Sequence, residues 1–208
     1  MTSDTKKWSA PKERVSRHNA EEALIAAVIE LVDTTPIADI TIHQLAEVAG
    51  VNFGYINRYF ESRLNLFAAA TDVLADLGIQ GLTSTVAART VPQRGKSKDL
   101  APIDLDATRQ AVMPIGVKRL QIVQFLVMSG VPTERFVKKS QEVMAASIQA
   151  ITEAGVEPEL ARAHTIHGIA LLWSAATLGP VLGLSLQELN DAYTALSDDV
   201  SANKKTSR

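Results

Sequence analysis

The residues best suited to chemistry cluster between positions 41 and 66, TIHQLAEVAGVNFGYINRYFESRLNL. Ala46, Gly50 and Ile56 fall at offsets of four and ten from the first of them. A small residue such as Ala46 lets two short helices cross closely. Gly50 supplies the tolerance of positive φ that a tight turn between them needs. Leu45, Val51 and Ile56 give the pair an apolar contact. This is the spacing of a helix-turn-helix, whose second helix is presented to the major groove of DNA. On that second helix Phe53 suits a thymine methyl, the Asn57 amide suits adenine, and Arg58 suits guanine or phosphate, with Tyr55 projecting beside them.

Other chemistry is sparse. His164 and His167 lie one helical turn apart, but the nearest carboxylate at a compatible offset, Glu157, precedes Pro158 at or outside a helix start. The pair reads as pocket or core, and no metal site is expected. Arg119, Gln121, Phe125, Met128, Phe136, Met144 and Trp173 join the two histidines as candidates for a ligand cavity between helices. There is no G-x-S-x-G, H-E-x-x-H or Gly-rich phosphate loop, so no catalytic set and no cofactor are expected. The absence of Cys excludes disulfides, thiolate metal sites and thiol-based sensing.

The elements that must position these residues are helical nearly throughout. Leu24, Ala27, Val28 and Leu31 form a stripe of helical period, in a first helix ended by Pro36. Thr41 is a good N-cap for the second helix. The third runs from 52 to about 59, and Ser62 can cap a fourth. Residues 89–102 hold Pro92, Gly95, Pro102 and four basic side chains without apolar period, and read as an exposed loop. Further helices are expected at 104–113, 115–129, 133–154, 158–178 and 185–198, with almost no strand.

The stretch 41–66 and its flanks resemble the tetracycline-repressor (TetR-like) family of transcriptional regulators. The family pattern T-x-x-x-I-A-x-x-A-G-V-S-x-G-x-L-Y-x-Y-F-x-S-K-x-x-L is met at Thr41, Ala46, Ala49, Gly50, Val51, Gly54, Tyr59, Phe60, Ser62 and Leu66, and conservatively at Leu45, Ile56 and Arg63. Asn52 replaces the usual Ser, and Asn57 the usual aromatic. The resemblance implies an all-α chain: an N-terminal three-helix helix-turn-helix domain and a C-terminal helical ligand-binding and dimerisation domain. Residues 1–19 would be a basic arm, 20–67 the DNA-binding domain, 68–200 the ligand-binding and dimerisation domain, and 201–208 a loose tail. It also implies DNA contacts from Thr41, Asn52, Phe53, Gly54, Tyr55, Asn57, Arg58, Tyr59 and Arg63. Thr41, Tyr59 and Arg63 would meet phosphate, Arg63 aided by the free amides at the start of the fourth helix.

Charge sharpens this expectation. The chain of 208 residues carries 21 basic and 23 acidic side chains, a net −2. The arm holds Lys6, Lys7, Lys12, Arg14 and Arg17 against Asp4 and Glu13, whereas 20–67 holds only Arg58 and Arg63 against seven acids. DNA binding must then rest on a few placed contacts, with the acids facing away. The uncharged run 168–186 approaches membrane-spanning length, but Gly179-Pro180 and Gly183 favour a helix buried in a domain or dimer interface. The expected protein is a cytoplasmic, homodimeric regulator on a palindromic operator, paired through its last two helices. It is released as a repressor by a hydrophobic or amphipathic small molecule, with no enzymatic activity and no membrane. An activator of the same architecture, or a helical scaffold anchored by 168–186, is the alternative.

Overall fold

A computed structural model describes residues 16–88 and 105–192, except 178, 186 and 190. Its helices are α1 (Arg17–Leu31), α2 (Ile42–Val48), α3 (Gly54–Phe60), α4 (Arg63–Ala88), α5 (Leu105–Met128), α6 (Glu134–Glu153), α7 (Pro158–Thr177) and α8 (Gly179–Leu182). A single 3₁₀ turn, Ile37–Asp39, precedes α2, and the described residues contain no strand. The all-α expectation is met. The expected arm 1–15, the loop 89–102 and the tail 201–208 lie outside the described residues, and 17–19 open α1 instead of closing an arm.

Local chemistry accounts for the boundaries. Ser16 caps α1 by accepting the Asn19 amide at 3.2 Å, and Ala20, Leu24, Ala27 and Val28 form its buried face. The helix ends at Leu31, five residues before Pro36. There Asp33, Thr34 and Thr35 fold back on the carbonyls of Glu30 and Leu31, with the Thr34 hydroxyl adding a bond to Leu31. Short polar side chains compete with helix in this way. Thr41 makes a full capping box with Gln44, and Ser62 caps α4 through the Asn65 amide at 3.1 Å.

The expected break at Pro114 does not occur: α5 is one helix through it. Proline removes one backbone donor. Here it sits on the exposed side of the helix, where water can serve the carbonyl left without a partner. Helices α4 and α5 cross closely because Gly81 has no side chain; a Cβ there would stand 2.8 Å from Val112 Cγ1. Leu24, Val28, Ile40, Leu45, Ile56, Leu66 and Phe67, all fully buried, share one core with Leu74, Ile122, Leu126 and Phe136. The expected boundary between 67 and 68 therefore falls inside a continuous helix and a continuous core.

Among the described residues one window, Gln110–Met128, is long and apolar enough to cross a membrane. It belongs to α5, which packs on α4 and α7 and buries Arg119 against Thr71 and Ser140. The run 168–186 does not stay helical throughout, since Gly183 takes a φ of 68°.

Candidate nucleic-acid interface

Gly50 sits in the turn after α2 with a φ of 65°, Ala46 and Leu45 are buried beneath it, and Ile56 of α3 is fully buried against them. Helix α3 is thus fixed by its inner face, leaving Phe53, Asn57 and Arg58 exposed on the outer one. Phe53 and Asn57, four residues apart, share a helical face. The Phe53 ring is steadied by His43 of α2, with centroids 4.9 Å apart.

Tyr55 and Tyr59 are half-buried and lie ring to ring at 5.2 Å. Tyr59 is also flanked by two guanidinium groups, Arg17 at 5.4 Å and Arg58 at 5.7 Å from its centroid. An aromatic ring with two cations over it draws positive charge to one edge of the unit. Arg17 in turn bonds Glu21 at 2.6 Å, and that partner raises its already high pKa. The acids of this segment are partly answered: Glu21 meets Arg17, Glu22 meets His18 at 3.2 Å, and Asp33 meets Lys118 at 2.7 Å.

Three expected contacts have other work in this structure. The Asn52 side-chain oxygen accepts the Gly54 amide at 2.8 Å, so both residues serve the start of α3. The Thr41 hydroxyl and amide both donate to Gln44 Oε1, at 2.9 and 2.8 Å. Arg63 is engaged within the chain. Its Nη1 donates to the carbonyls of Ile40 and Ala38, and its guanidinium lies over Phe67 and Phe125 at 5.6 and 6.0 Å. Carbonyl oxygens of the Ile37–Ile40 turn are fixed acceptors near at hand, and two rings hold the cation's face. His43 was not anticipated, and Arg17 was anticipated only as one of the basic residues of the arm. Arg17 was legible from its i,i+4 relation to Glu21, whereas nothing in the sequence sets His43 apart.

The ligand candidates do not converge. Phe136 is buried in the common core, Arg119 is buried between α4 and α6, Met144 is half-buried on α6, and His164, His167 and Trp173 lie along α7, the last 46% exposed. Desolvation pushes the Arg119 guanidinium below its usual pKa, with Asp72 opposing. Among the described residues, Gln121, Phe125 and Met128 do share a cavity, an open cleft of about 530 Å³ that Gln124 and the 32–38 connection also line. Among the described residues no group of three metal-ligating side chains is assembled.

No protein-family model and no curated protein matches the chain. Solved structures do. A transcriptional regulator from Rhodococcus sp. RHA1 superposes with a TM-score of 0.53 at 16% identity, over 83% of this chain and 90% of its own. A TetR transcriptional regulator from the same organism gives 0.50 at 18% identity, over 85% and 92%. The chain shares the all-helical fold of TetR-type transcriptional regulators.

Proposed function

We propose that this protein is a cytoplasmic, DNA-binding transcriptional regulator that acts as a homodimer on a palindromic operator and is released from it, as a repressor, by a small molecule. The observation that supports it most is the exposed edge of α3. Phe53, Asn57 and Arg58 stand out from a helix whose other face is locked in the core, beside Tyr59 and Arg17. Phe53 and Asn57 would read base edges, and Arg17, Arg58 and Tyr59 would hold the backbone. Dimerisation through α7 and the segment after it is supported by their exposed apolar side chains, among them Ile166, Trp173, Val181 and Leu182. No catalytic role is assigned to any residue.

Footprinting on the DNA upstream of the protein's own gene should show two protected half-sites one helical turn apart. No specific protection at low salt by the folded chain would sink the reading. Arg58→Ala should lower the slope of log K against log salt by about one, and weaken all sequences alike if it grips phosphate. Asn57→Ala should instead alter which base is preferred; an equal loss on every operator variant would refute that division of roles.

A further inference from the structure

We propose that the cleft between the 32–38 connection and α5 binds a small uncharged molecule with an aromatic body and a hydrogen-bonding end, and that its occupancy is transmitted to the start of α2. At about 530 Å³ the cleft has the size of a small-molecule site. Gln121, Gln124, Phe125 and Met128 line one wall, at the i, i+3, i+4, i+7 spacing of a single face of α5. Val32, Pro36 and Ile37 form the apolar part of the other, with Thr34 and Thr35 beside them. Two amides and two hydroxyl-bearing residues thus border an otherwise apolar space.

The charge class follows from the same walls. Asp33 is the one ionisable lining residue, and its carboxylate is 2.7 Å from Lys118 Nζ, which also donates to the Ile29 carbonyl. The C-terminal ends of α1 and α5 border the cleft, and their negative dipole ends disfavour an anion. Their last carbonyls already accept backbone amides from 32–35 and 129–131, so they do not call for a cation either.

Transmission runs through Arg63. Its guanidinium bonds the Ala38 and Ile40 carbonyls and rests on Phe125, and Ala38 and Phe125 both line the cleft. One residue beyond Ile40 stands Thr41, the cap of α2. A molecule wedged between Phe125 and Ile37 would load both ends of this latch and bias the position of α2. Only this step rests on the regulator reading; the site itself does not.

The test is a fluorescence titration of the full chain with N-phenyl-1-naphthylamine, an uncharged aromatic amine. Binding should weaken about tenfold or more in Met128→Asp, at a position 80% exposed and so harmless to folding, and in Gln124→Trp. It should be unchanged in Val137→Gln, at an exposed apolar position of α6. The anionic relative 8-anilinonaphthalene-1-sulfonate should bind about tenfold less tightly than the amine. Equal affinity in the cleft variants would overturn the site, and equal affinity for the anion its charge class. No uptake by the wild type, with Met128→Asp dissociating a dimer, would assign the cleft to a second chain and overturn the proposal. In DNA-free hydrogen exchange the bound amine should change protection of the Gln44 and Leu45 amides; no change overturns the transmission. Since no DNA is present, loss of operator binding alone would count against the regulator reading and leave the cleft standing.

Discussion

Arg63 is where pattern and geometry part. A basic residue opening a helix beside an expected phosphate is a sound anion site by charge and position. Its side chain is nonetheless engaged by two carbonyls and two rings. Arg63→Ala should therefore reduce thermal stability, by about 1–3 kcal/mol for a lost charge-assisted bond, and leave the salt slope of DNA binding near that of the wild type. Arg63→Lys should recover little, because an ammonium cannot bridge two acceptors and lie flat on two rings at once. Calorimetry beside salt titrations decides it: a slope reduced by one with unchanged melting would restore the phosphate role. Sequence could not have shown this, since Ala38 and Ile40 lie more than twenty residues upstream and Phe125 far downstream. Gly50, by contrast, was legible, because a two-helix turn of that length demands positive φ and the chain offers a residue free to adopt it.

At the level of elements, helix starts were readable and interiors less so. Thr41, Ser62 and Ser185 each announce a helix by local hydrogen bonding. Pro114 announced a break that the packing of α5 overrides. Pro114→Ala should raise the melting temperature, by the equivalent of about 1–3 kcal/mol, as the backbone bond to Gln110 returns. A fall would mean that the proline's restriction of the unfolded chain outweighs the lost hydrogen bond. The Ser185–Glu188 box makes a pH prediction. Glu188 accepts the Ser185 amide and hydroxyl, both at 2.8 Å, and these bonds hold its carboxyl below the usual carboxylate range. A depressed carboxyl stabilises above its unfolded value and loses that contribution as pH falls through the folded one. Amides at the start of this segment should lose protection relative to their intrinsic exchange as the Glu188 carboxylate is protonated at low pH, and Ser185→Ala should remove that pH dependence; an unchanged profile in that variant would contradict the box.

For the whole molecule, helical class and the two-helix turn of α2 and α3 were legible, because both follow from short-range periodicity. The ligand candidates were legible only in part, since aromatic and Met residues at helical spacing serve core and cavity alike: Gln121, Phe125 and Met128 line one cleft, whereas Phe136 is core and Trp173 surface. That surface carries the last prediction. Ile166→Asp with Trp173→Asp, at 50% and 46% exposure, should leave helicity intact and convert a dimer to a monomer in light scattering, with operator affinity falling at least tenfold. A double variant that stays dimeric would place the interface elsewhere.

The single core running from Leu24 and Ile56 through Phe67 to Ile122, Leu126 and Phe136 bears on how the chain can be re-engineered. A reading head cut at residue 67 would carry away half of a hydrophobic interface and leave the rest open to water. Chimeras that swap operator preference should therefore graft single outward residues of α3 onto an intact chain. A swap of the entire N-terminal unit would have to bring with it the α5 and α6 side chains against which that unit is built.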